Sequence, residues 1–202
     1  MRKHQDPLTL LTVVIDRVLR SLRGIYEFSS DPDCIYRLSI GGAPRDATLP
    51  DGTRFHKGEP VGILHLYNDH MPVIPASGVS LAWASTMVRR LEKSACLLAQ
   101  HAASDRSLQS IAAFGNEAFL HTRANARLLE RMGYAVQDAV PANSFCRRVR
   151  MQTICLWTWL LRRAFNRPSA AIPLADLQYR SIWISRRALL EKYGSRRVPS
   201  SA

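Results

Sequence analysis

VGILHLYNDH (Val61–His70) reads as a central strand that ends in a polar cluster, and it decides how the rest of the chain is arranged. Alternation puts Val61, Ile63, His65 and Tyr67 on one face and Gly62, Leu64, Leu66 and Asn68 on the other. Both faces are mostly apolar, which predicts a strand covered on both sides. His65 is then buried or in a pocket. It is either a core histidine bonded through both nitrogens, or a general base or substrate contact, since imidazole exchanges a proton near neutral pH.

Upstream, LPDGTRFHKGEPVGILHLYN (Leu49–Asn68) carries two turn signals, Asp51-Gly52 and Lys57-Gly58. The segments between and after them predict an antiparallel hairpin. CIYRLSI (Cys34–Ile40) alternates and predicts a strand. Leu11, Val14, Ile15, Val18, Leu19 and Leu22 recur at helical spacing, with Asp16, Arg17, Arg20 and Arg23 opposite them. Asp6-Pro7 starts this N-terminal amphipathic helix, within residues 1–24, and Gly24 stops it.

Downstream, a long helix runs from Ser77 or Ser80 to about His101. Trp83, Met87, Leu91, Ala95 and Leu98 line its inner side, while Arg89, Arg90, Glu92 and Lys93 point away. A short strand in SLQSIAAFG and a helix through Leu128, Leu129 and Met132 follow. Gly133 supplies that helix's left-handed cap. A strand over Tyr134–Val140, an inserted apolar helix over 144–167, a strand in LQYRSIWIS and a short helix in RRALLEKYG complete the order. This predicts an α/β (α+β) fold: one mixed sheet flanked by helices, in a single domain spanning 1–202.

The composition excludes several classes. A hydrophobic fraction of 47% supports a packed core rather than a disordered chain. Asp16, Arg17 and Arg20 interrupt the N-terminal apolar run, so it does not read as a signal peptide. The apolar run ICLWTWLL (Ile154–Leu161) is closed by arginines on both sides and falls short of the roughly 20 residues of a transmembrane span. Cys34, Cys96, Cys146 and Cys155 match neither a zinc ribbon nor a redox pair, which predicts small buried side chains and a cytoplasmic setting. The net charge of +12 suits an anionic membrane or substrate. The arginine clusters lack interleaved aromatics, which argues against nucleic acid.

The candidate catalytic residues are His65 and Glu117, the latter an isolated carboxylate in FGNEAF. Asn68, Asp69 and His70, at the end of the central strand, are candidate substrate contacts, or an Asx-type turn with a surface histidine. Their spacing matches no metal-ligand pattern. His65 to Asp69 is H-x3-D, one residue short of the H-x4-D of glycerolipid acyltransferases. No G-x-S-x-G, P-loop or G-x-G-x-x-G occurs.

The element order from Cys34 to Val140, with Gln178–Ser185 as a last strand, resembles the GNAT acetyltransferase superfamily. LLERMGYAV (Leu128–Val136) resembles that superfamily's late helix-to-strand junction, but Leu129 stands where its general-acid tyrosine is usual. PASGVSLAW (Pro75–Trp83) has one glycine where the coenzyme A pyrophosphate turn has two or three. The resemblance implies a coenzyme A thioester as acyl donor.

The chain also resembles the YkoP-like domain family of bacterial proteins. The carrying residues are LPDGTRFHKGEPVGILHLYN, SACLLAQ, MGY and SIWISRRALLEKYG, with Gly62, His65 and Asn68 the tightest positions. No catalytic residue carries over from that family, whose members are associated with envelope polysaccharide or lipid genes. Together the resemblances imply an acyltransferase-like domain acting on an envelope or lipid-linked substrate, peripheral at the inner membrane. The alternative is a non-enzymatic accessory module binding anionic lipid or a partner protein. Trp157, Trp159 and the arginines around the inserted helix suit a bilayer interface.

Overall fold

The computed structural model describes residues 7–66, 70–73, 75, 80–120, 123–138, 152–161 and 178–196. Helix α1 (Pro7–Leu22) precedes strands β1 (Tyr36–Gly42), β2 (Ala47–Thr48), β3 (Arg54–Phe55) and β4 (Pro60–Leu66). Helix α2 (Leu81–Ser104), a 3-10 turn (Arg106–Leu108), β5 (Ala113–Leu120), α3 (Arg123–Arg131) and β6 (Ala135–Asp138) follow. Residues 152–161 form helix α4. The chain then runs through β7 (Gln178–Ser185) and helix α5 (Arg186–Tyr193).

Five strands make one mixed sheet in the order β1-β4-β5-β7-β6, while β2 and β3 form a separate two-stranded ribbon. The β1–β4, β5–β7 and β6–β7 ladders are antiparallel, and β4–β5 is parallel. The parallel pair requires a crossover, which α2 provides.

The hairpin differs from the expectation. Asp51-Gly52 does turn the chain, with Gly52 at φ 83°, and β2 pairs β3 around it. However, β4 pairs β1 from Tyr36–Leu66 to Gly42–Pro60, not the strand just before it. The Lys57-Gly58 turn returns the chain to β1: Gly58 N donates to Ala43 O at 2.9 Å and Ala43 N to Glu59 O at 2.8 Å. Residues 43–59 are thus an excursion within one long hairpin.

Helix α2 is capped by Ser80, whose side chain accepts from Trp83 N. It buries Leu91, Ala95, Leu98, Ala99 and Ala102 against Ile35, Leu38, Phe114, Ile184 and Leu189. Each large aliphatic side chain so buried contributes about 1.5–3 kcal/mol. Lys93 departs from its expected outward position and is 3% exposed. The segment around Asp31 and Asp33 folds onto α2, placing their carboxylates 3.0 and 3.1 Å from Lys93 Nζ. Arg90 pairs with Asp33 at 3.1 Å.

The opposite face carries a second cluster, Ala43, Leu49, Phe55, Val61, Ala113, Ala135 and Trp183. The β2–β3 ribbon contributes Phe55 to it, against Trp183. Helix α3 ends as expected at Gly133, φ 93°, with Tyr134 N donating to Leu129 O. The strand expected in SLQSIAAFG starts later, at Ala113, because Asp105 first caps the 3-10 turn. Cys34 and Cys96 are buried and Cys155 is half-buried. Cys146, and the inserted helix outside 152–161, lie outside the described residues. Among the described residues no helix is long and apolar enough to cross a membrane.

Candidate functional site

The β4–β5 ladder is short. Gly62 pairs Phe114 and Ile63 pairs Gly115, and the registered pairing ends there. Both joints are close-packed on glycine. A Cβ on Gly62 would run into the Phe114 ring, and one on Gly115 into the Ile182 carbonyl oxygen and to 2.8 Å from Trp183 Cα. Beyond the ladder the Asn116 side-chain amide donates to Leu64 O at 2.9 Å. A side chain thus spans the gap where main-chain bonds would continue the sheet.

His65 lies beside this break in the ladder. It pairs Arg37 across the β1 ladder, and its Nε2 is hydrogen-bonded to Ser39 Oγ at 3.0 Å. Ser39 is buried, which holds the imidazole in one orientation. The pKa of His65 is pushed from 6.5 down to about 4, first by burial and then by the cations of Arg23 and Arg37. It is therefore neutral at pH 7. Arg37 is itself buried and pairs with Glu27 at 3.3 Å.

Glu117, on β5, is half-buried. Counting two residues on from the Ile63–Gly115 pair places it on the same sheet face as His65, on the far side of the break. Tyr179 Oη donates to Glu117 Oε2 at 2.9 Å, a cross-strand contact set by the Phe119–Tyr179 and Glu117–Ser181 register. One polar strip on this face therefore holds Arg37, Ser39, His65, Glu117 and Tyr179. The part of the face toward Val61 and Trp183 is apolar and lies with the ribbon's Phe55.

A family model for the YkoP domain matches residues 5–193. The chain belongs to that family. Comparison with curated proteins and with solved structures returned no match. The family match spans both the polar strip and α1 of this YkoP domain.

His70 does not join the strip. Its Nδ1 donates to Cys34 O at 3.2 Å, and its own carbonyl accepts from Arg90. In this YkoP domain it ties the segment after β4 to the start of β1. Asn68 and Asp69 lie outside the described residues. Sequence reasoning missed Ser39, Arg37, Asn116 and Tyr179. The signal for the first two was present in CIYRLSI, where two polar residues share one face of an otherwise buried strand. No such signal existed for Asn116 and Tyr179, whose partners lie 52 and 62 residues away. Among the described residues no group of three or more His, Cys, Asp or Glu side chains could hold a metal.

Proposed function

We propose that this YkoP domain is an acyltransferase-like domain acting on an envelope or lipid-linked substrate at the inner membrane surface. The observation that carries the reading is a neutral imidazole, oriented by a buried serine, at the point where a parallel strand pair stops bonding. Strand edges at such an opening suit an extended guest that carries amides, as the arm of a coenzyme A thioester does. The element order resembling the acetyltransferase superfamily supports the same reading. A thioester in the opening would supply the acyl group. As the nucleophile's bond to the carbonyl carbon forms and the carbon–sulfur bond breaks, His65 would take the nucleophile's proton and the thiolate would leave.

An imidazole held near 4 is a weak base. An anionic substrate near Arg23 and Arg37 would offset their field and raise His65 toward its ordinary value, so binding would strengthen the base. Glu117, steadied by Tyr179, would contact the nucleophile across the opening. A second reading, a non-enzymatic accessory module on anionic lipid or a partner protein, draws on the outward apolar face of α1 and needs no chemistry at His65.

A thermal-shift series with coenzyme A and acyl-coenzyme A tests the enzyme reading. A ligand at 100 times its dissociation constant stabilises by about 2.7 kcal/mol. Stabilisation by the thioester that persists in both Leu22→Ser and His65→Gln, with acyl transfer lost only in His65→Gln, is the expected result. No stabilisation by either compound overturns the acyl-donor assignment and leaves the accessory module.

A further inference from the structure

Helix α1 faces the opposite way from an ordinary surface helix. Thr12 is 2% exposed, and the Asp16–Arg20 ion pair, 3.0 Å long, is largely covered. Leu11, Val14, Ile15, Val18 and Leu22 are exposed, Val18 by 53% and Leu22 by 77%. The polar side of the helix is turned inward and its apolar stripe outward. A surface helix normally does the reverse.

Charge decides what covers the stripe. At 3.6 residues per turn, Arg17 falls about 120° to one side of the stripe's centre, and Arg23 follows the last turn of α1. Both are exposed. The one acidic residue of α1, Asp16, is bound to Arg20 on the inner side. An apolar face with one exposed arginine beside it and another at its C-terminal end fits the boundary between acyl chains and anionic headgroups, where the side chains enter the hydrocarbon and the guanidinium groups meet phosphate. A second copy fits poorly. Pairing two such stripes would bring together chains that each carry a net charge of +12.

We propose that the outward face of α1 docks this protein on an anionic lipid bilayer. The inference does not depend on acyl transfer at His65. It does bear on that site, because α1 leads through Arg23 and Gly24 into Tyr26, which bridges Leu38 on β1. Arg23, at the stripe's end, is one of the two arginines that, after burial, lower the pKa of His65. Docking would bring the polar strip close to the headgroups.

The test is co-sedimentation of the full chain with phosphatidylglycerol or phosphatidylcholine vesicles at low and high salt. The wild type, Val18→Ser/Leu22→Ser and His65→Gln are compared, with ultracentrifugation of each without lipid. Both α1 substitutions fall at exposed positions, so the double variant should melt like the wild type. Salt-sensitive pelleting with phosphatidylglycerol that falls on the order of tenfold or more in the double variant, and is unchanged in His65→Gln, is the expected result. Three outcomes overturn the proposal: no pelleting of the wild type, equal pelleting of the double variant, or a wild-type dimer that the double substitution dissociates. The last would assign the stripe to a second copy. A thioester thermal shift that survives in the double variant separates failure of docking from failure of the acyl-donor reading.

Discussion

Ser39 Oγ and His65 Nε2 are 3.0 Å apart across the β1–β4 ladder, and the hydroxyl is buried while the imidazole borders the break in the β4–β5 ladder. The pair joins a rigid strand to an imidazole that the sheet keeps neutral.

Stability should depend on His65 in a defined pH window. Its folded value of about 4 lies below its ordinary 6.5. The unfolded chain therefore binds the proton first, and stability present above pH 6.5 declines as pH falls toward 4. The loss is on the order of 2–3 kcal/mol. Denaturant melts from pH 7.5 to 4 should show this slope in the wild type and a flatter one in His65→Gln.

Ser39→Ala should leave the fold intact and release the ring. The expected cost is about 1 kcal/mol, the net worth of one hydrogen bond. In an acyl-transfer assay the variant should lose turnover more than affinity, because a mispositioned base weakens the transition state rather than binding. Equal loss in Ser39→Ala and in a distant core variant of matched stability would remove Ser39 from a positioning role.

The two glycines at the β4–β5 joint should differ in their tolerance. Gly62→Ala pushes on the Phe114 ring, a side chain that can shift, and should cost about 1–3 kcal/mol. Gly115→Ala pushes on the β7 backbone at Ile182 and Trp183 and should cost more. Urea melts of the two variants give the order directly.

Lys93→Met should be destabilising, by up to about 3–5 kcal/mol, because it takes the Lys93 cation from Asp31 and leaves Asp33 with Arg90 alone. Hydrogen bonding to Lys93 is the largest influence holding Asp33 below the usual carboxylate range. The variant's deficit should therefore shrink on acidification, when those carboxylates take up protons. Leu91→Ala, in the same helix, should cost about 2–5 kcal/mol with no such pH dependence.

Local chemistry made much of this fold legible. The Asp51-Gly52 turn, the Gly133 cap and the apolar spacing of Leu91, Ala95 and Leu98 depend on residues within a few positions of one another, and the sequence alone determined those elements, while the choice of Ser80 over Ser77 as the cap of α2 came from the structure. It also marked His65 as an imidazole in a buried strand. Which strand β4 would pair with, that Asp31 and Asp33 would draw Lys93 inward, and that the polar side of α1 would be the covered one were decided only by tertiary structure. Each depends on partners brought together by folding: Lys93 meets Asp33 across 60 residues, and Glu117 meets Tyr179 across 62. Periodicity reports that a helix has two unlike faces, but the free energy of the surroundings decides which of them is buried.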